Sequence, residues 1–270
     1  MTGRATDEGT KTTWERQRFF MDMIAWGTVT DQTRLIFVGI EDGGKEWVRD
    51  RDFWKVDKKI QDCIDKADQS LVPNRYVVPS GESPSQQITE KFQCRFALEL
   101  RRLLGIPPSP SYDAESYYRS TFLKQFELAA NLHPFAKPTT ASSLDERTRR
   151  YIGFDDPTSP LRTMSRKELI GYRLEGICRL RGKVASDHPL IVMVLMGTWT
   201  RPRYIRRQLI GEETNADRVE FHLPRRKQTA TCIRKGRIVH CFIPHPSYDW
   251  ISGEDATRLL SEMNEKKLFA

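Results

Sequence analysis

Apolar residues recur along this chain with two rhythms. Leu35-Ile-Phe-Val38 and Leu190-Ile-Val-Met-Val-Leu-Met196 are short runs with no polar face, closed by Gly39 and Gly197. Runs this short that stop at glycine predict buried strands followed by tight turns, and strands apolar on both faces belong to parallel sheets covered by helices. A slower rhythm marks helices. Ile88, Phe92, Phe96, Leu100 and Leu104 repeat at helical spacing. They predict a helix opened by Ser83-Pro84-Ser85-Gln86, with proline at its first position and a capping-box glutamine, and stopped by Gly105 and Pro107. Ser165-Arg-Lys-Glu168 is another capping box, and Leu169, Ile170, Leu174 and Ile177 carry its helix to about Arg181. Ser252 caps a final helix that holds Leu259, Leu260 and Met263.

Between these landmarks the pattern is less regular. Residues 1–11 are polar and read as a disordered lead to a single domain over 12–270. Thr12 or Thr13 can cap a helix through about Trp26, with Trp14, Phe19, Phe20, Met23 and Ile24 as its stripe. Phe53, Val56, Ile60 and Ile64 fit a helix, and Tyr76-Val-Val78 a short extended piece. Phe122 to Phe135 reads as helix or strand and breaks at Asn131-Leu-His-Pro-Phe135, while residues 137–163 are polar and predict an irregular excursion. Thr229–Ile233 and Arg237–Ile243 flank Lys235-Gly236 as a strand pair. Strands and helices mixed in this way predict an α/β fold, a three-layer sandwich around a central, mostly parallel sheet.

Composition narrows the setting. Over 270 residues, 44 basic against 36 acidic side chains leave a formal charge of +8, which suits a polyanionic partner and also ordinary solubility. The five cysteines form no C-x-x-C pair and no His stands at zinc-finger spacing, so neither a disulfide frame nor a metal centre is signalled. Free thiols in a reducing cytoplasm fit that usage. No apolar run approaches the roughly 20 residues of a membrane span. The expectation is a monomer with no membrane association and no cofactor.

The chemistry-bearing residues stand where apolar segments end. Glu41 and Asp42 follow the first strand, Asn131 and His133 the second apolar segment, Gly197 the third, and His245 and Ser247 the last. Parallel strands bring their carboxyl ends to one rim, so an acid, an amide and an imidazole distant in sequence would face one ligand.

Gly39-Ile-Glu-Asp-Gly43, Asn131, the strand closed by Gly197, and His245-Pro-Ser247, in that order, resemble the motifs of the uracil-DNA glycosylase superfamily over roughly Arg34 to Trp250. In that superfamily a first motif, G-x-[D/N]-P or G-x-N-P-G, carries the water-activating residue. An Asn at a strand end reads the base, and H-P-S or N-P-S follows the last core strand. Here Glu41 stands where the family has Asp or Asn, and Asp42 replaces the proline. Which of the two would be the catalytic acid therefore stays open.

The resemblance implies a monofunctional DNA glycosylase acting on a flipped or single-stranded pyrimidine. Glu41 or Asp42 would stabilise positive charge on the sugar and orient water, and His245 would stabilise the departing base. Asn131 would read the pyrimidine edge. Gly43 takes the place of an aromatic wall against the 5-position in the uracil-selective branch, so the pocket is expected to admit 5-substituents, among them hypermodified phage bases met in a defence role. Trp47 and Trp54 are candidates to stack on the base. Ser247 would contact the DNA, Tyr248 and Trp250 would enter the base stack, and Arg201, Arg203, Arg206 and Arg207 would hold phosphates.

Two other readings compete. A catalytically inactive nucleic-acid binder of the same fold would explain the altered first motif. A nucleotide hydrolase would use Gly39-x-x-x-x-Gly44-Lys45 as a phosphate loop, but Glu46 stands where the magnesium-binding Ser or Thr should be.

Overall fold

The computed structural model describes residues 25–26, 29–39, 88–106, 113, 116–117, 122, 125–132, 157, 160–186, 188–197, 203–212, 218–223, 228–246 and 251–270. The expected disordered lead and the expected elements at 53–67 and 76–78 lie outside these residues. The elements are β1 (Ala25–Trp26), β2 (Leu35–Gly39), α1 (Ile88–Leu103), β3 (Glu127–Asn131), α2 (Pro160–Thr163), α3 (Arg166–Ser186), β4 (Ile191–Met196), α4 (Arg203–Ile210), β5 (Arg218–Leu223), β6 (Gln228–Lys235), β7 (Ile238–Ile243) and α5 (Gly253–Glu265).

One sheet of seven strands runs in the order β1-β3-β2-β4-β7-β6-β5. Its centre, β3-β2-β4-β7, is parallel throughout, and β1 and β6 run antiparallel to their neighbours. Alternation along the strands sorts the core into two layers. Leu35, Phe37, Val192, Val194, Val239 and Cys241 meet Phe92, Phe96 and Leu100 of α1 and Leu259, Leu260 and Met263 of α5. Ile36, Val38, Ile191, Met193, Leu195 and Phe242 meet Ile170, Leu174 and Ile177 of α3 and Ile205 and Leu209 of α4. Helices thus cover both faces of a mostly parallel sheet, the arrangement that two-sided apolar strands require.

The caps read at Ser165 and Ser252 are made, while those read at Thr12 or Thr13 and at Ser83 to Gln86 lie outside the described residues. Glu168 accepts from the Ser165 backbone N–H at 2.6 Å, and Ser165 Oγ accepts from the Glu168 N–H at 3.3 Å. At α5, Ser252 Oγ accepts from the Asp255 N–H at 3.3 Å while Asp255 accepts from the Ser252 N–H at 2.8 Å. Replacing Ser252 with Ala is expected to cost about 1 kcal/mol. Thermal unfolding should register this as a drop of roughly 2–4 °C, and an unchanged melting temperature would show the cap to be idle.

Two expectations are corrected. Ala25 and Trp26, read as the end of a helix, instead pair with Ala130 and Ala129 as an antiparallel edge strand. Strand β5 was not anticipated, although Val219, Phe221 and Leu223 alternate with polar residues as a half-buried strand should.

The interior also holds polar groups. Tyr117 Oη donates to Glu127 Oε2 at 2.7 Å, both residues are buried, and the Arg101 guanidinium lies 6.0 Å from the Tyr117 ring centre and 5.2 Å from that of Phe126. Burial, and then the neighbouring Glu127 carboxylate, push the Tyr117 hydroxyl far above its ordinary range. On β7, His240 is 1% exposed, and its Nε2 lies 3.3 Å from the Arg181 guanidinium, which donates to the Leu209 carbonyl. Cys232 and Cys241 are free thiols directly opposite each other on β6 and β7, with sulfurs 3.1 Å apart. Burial first, then the neighbouring thiol, raises the Cys232 pKa.

Candidate functional site

The strand order itself marks a place for a ligand. The chain enters the parallel centre at β2, steps to β3 on one side, then returns to β4 and β7 on the other. Connections therefore diverge between β2 and β4, and in open α/β sheets ligands bind beyond the carboxyl ends of the strands at that point. Gly39 and Gly197 stand at the two strand ends that flank it.

The register fixes what surrounds them. Asn131 is the rung partner of Gly39, and the Leu132 N–H donates to the Gly39 carbonyl at 3.0 Å. Gly197 donates its N–H to the Ile243 carbonyl at 2.9 Å and has φ +94°. A side chain in that backbone conformation is strained, so glycine is required by the turn. A Cβ built there would stand 3.6 Å from His245 Cβ and 3.7 Å from its Cδ2, so the imidazole lies directly against the glycine. His245 is half-buried between the buried Pro244 and Pro246, and the Ile251 N–H donates to the Pro246 carbonyl at 3.2 Å. Two prolines with fixed φ and one hydrogen bond hold the segment that presents the imidazole.

From the α1 side Gln93 reaches the end of β4. It is 7% exposed, and its Nε2 donates to Met196 Sδ at 3.9 Å. A thioether is a weak acceptor, and an amide this buried with so weak a partner costs about 1–3 kcal/mol. The sequence reading missed Gln93 because it lies beside Phe92 within an apolar stripe. A polar residue in such a stripe, one turn before the buried Ala97, was the available signal.

Helices α1, α3, α4 and α5 start at this rim, since each connects the carboxyl end of a strand onward. Their amino ends favour negative charge there. At α3 and α5 that favour is met by Glu168 and Asp255.

Of the residues picked out from sequence, Asn131 by its backbone and His245 come to this rim, Asn131 on the last rung of β3 and His245 two residues beyond the last rung of β7, with β2 and β4 between them. Glu41, Asp42, Gly43, Trp47, Trp54, Arg201, Ser247, Tyr248 and Trp250 lie outside the described residues. Arg203 heads α4. Arg206 turns inward, its guanidinium 4.8 Å from the centre of the Phe242 ring, which takes it out of the solvent-facing set expected to hold phosphates. Arg207 is exposed and pairs with Glu212 at 3.4 Å, a contact weak enough to yield to a phosphate. Among the described residues no group of three or more His, Cys, Asp or Glu is placed to hold a metal ion, and no helix is long and apolar enough to cross a membrane.

No protein-family model, curated protein or solved structure matches this chain.

Proposed function

We propose that this protein is a DNA glycosylase that hydrolyses the N-glycosidic bond of an extruded pyrimidine and leaves an abasic site. The supporting observation is that two pairs separate in sequence, Gly39 with its rung partner Asn131 and Gly197 with His245 against it, stand on one rim of a parallel sheet on either side of its switch point. That is the gathering which the glycosylase-like order of motifs calls for. The imidazole held against Gly197 suits a donor aimed at the oxygen of a departing base, where negative charge develops in the transition state. The carboxylate of Glu41 or Asp42, which follow β2 within three residues of Gly39, would stabilise the sugar cation and orient the attacking water. Asn131 would read the base edge with one donor and one acceptor. With Gly43 in place of an aromatic wall, the favoured substrates are mismatched or 5-modified pyrimidines.

Oligonucleotides carrying paired uracil, mismatched thymine and 5-substituted pyrimidines test this directly. Base release is expected, strongest on the 5-substituted set, and alkali cleavage at the abasic site reports it. Release confined to unmodified uracil would reject the open pocket. DNA binding with no release from any substrate would replace the enzyme with a binder of the same fold.

A further inference from the structure

We propose that Cys232 and Cys241 are a cross-link site, a pair of thiols that the folded sheet favours as a disulfide, so that the chain takes a dithiol or a linked form according to the thiol–disulfide balance around it. The inference is independent of the glycosylase reading, which uses neither residue.

Their place in the hairpin is the first support. β6 and β7 are joined by the two-residue turn Gly236-Arg237, with Lys235 and Ile238 as the closing pair and Gly236 at φ +56°, as a hairpin turn with glycine at its first central position requires. The closing pair of such a turn is hydrogen-bonded, and bonded and non-bonded pairs then alternate along antiparallel strands. Arg234 with Val239 is therefore a non-bonded pair, Ile233 with His240 a bonded one, and Cys232 with Cys241 non-bonded again. Non-bonded pairs hold their Cα atoms about 4.5 Å apart and bring the side chains closest together. A disulfide spans Cα separations of about 4.4–6.8 Å, so this rung lies inside the range. The sulfurs already stand 3.1 Å apart, about 1 Å beyond bonding distance.

The surroundings hold the two thiols in that position. β6 is paired with β5 and β7, and β7 with β6 and β4, so each backbone is fixed on both sides. Both side chains are fully buried, in the layer that also contains Ala230 and Val239. Thiols confined in this way meet at a far higher effective concentration than in the unfolded chain, where eight residues of flexible backbone lie between them. Linkage then requires that the factor by which folding favours the bond is the factor by which the bond favours folding. Burial also keeps the Cys232 thiol protonated and shielded from reagents, so exchange proceeds while the hairpin is transiently open. Once closed, the hairpin retains whichever form it closed in.

The oxidant is a small-molecule disulfide, for which oxidised glutathione serves as the probe. One cysteine loses its proton to solvent, and its thiolate attacks a glutathione sulfur. The glutathione S–S bond breaks, a mixed disulfide forms, and one glutathione thiolate leaves. The second cysteine, likewise deprotonated, attacks the protein sulfur of the mixed disulfide, closes the Cys232–Cys241 bond and expels the other glutathione. Two electrons pass from the cysteines to the glutathione disulfide, and the two protons end on the two released thiols.

The test uses the full wild-type chain in a buffer of reduced and oxidised glutathione, once at a urea concentration below the unfolding midpoint, where opening is frequent, and once fully unfolded. Equilibrium is approached from the reduced and from the oxidised chain, the samples are quenched with acid and alkylated, and cross-linked peptides are identified by mass. The constant for forming the Cys232–Cys241 bond is expected to be about 10–100-fold larger in the folded chain, with Cys94 and Cys178 recovered alkylated. The urea midpoint of the linked chain is expected to rise with it. A folded-to-unfolded ratio below about 10 overturns the assignment, because the pair is then ordinary core packing of two small apolar side chains. Bonding of either cysteine to a different partner overturns it as well, as does a linked chain that unfolds at no higher urea than the dithiol.

Discussion

Exchange of His245 for Ala is expected to slow base release by about 10²–10³-fold, the usual consequence of deleting one preorganised donor to a developing anion. The loss should appear in kcat at saturating substrate, because the ground-state base offers this donor a weaker charge than the transition state does. Stability should hardly change. The imidazole is half-buried and lies against a glycine, so its removal opens little buried volume. A melting temperature within about 2–4 °C of wild type corresponds to a loss of no more than about 1 kcal/mol in a chain of this size. Undiminished release by the variant would sink the role given to His245 and with it the mechanism.

The second large effect belongs to a histidine away from the rim. Burial, and then the positive charge of Arg181, lower the His240 pKa from 6.5 to about 3. The folded chain therefore keeps this imidazole neutral down to about pH 3, whereas the unfolded chain protonates it near pH 6.5. Between those values the unfolded state binds the extra proton, so its contribution to stability is fully present above about pH 6.5 and is lost as the pH falls toward 3. The slope is about 1.4 kcal/mol per pH unit at most. Urea unfolding of wild type and His240→Gln between pH 3.5 and 7 isolates the effect, since carboxylates elsewhere act equally on both. Parallel acid limbs in the two proteins would show that His240 carries no such linkage.

Much of this architecture is legible in the residues, for reasons that differ by element. Leu190 to Met196 has no polar face and is too short for a span, so a central strand is its natural home. Ser165 and Ser252 announce their helices because the capping box is a local device, complete within four residues. Strand β5 carries a local signal as well, in the alternation of Val219, Phe221 and Leu223 with Glu220 and His222. Ala25 and Trp26 could not be read correctly from nearby residues, since what makes them a strand is Ala129 and Ala130, about a hundred positions away. The order β3-β2-β4-β7 is likewise set by how crossover connections pack on the sheet, which leaves no mark at any single position. So the ends of the strands could be listed from sequence, whereas their adjacency could not. Asn131 and His245 were legible as polar residues closing apolar segments.

The chain treats the two sides of its sheet unequally. On the rim that holds Gly197 and His245, consecutive described elements stand farthest apart in sequence, from Gly39 to Ile88 and from Asn131 to Pro160, while on the other rim β6 turns back into β7 between Lys235 and Ile238. Changes in length or composition are therefore better tolerated on the first of these rims than on the second, where the tight turn keeps β6 and β7 in register.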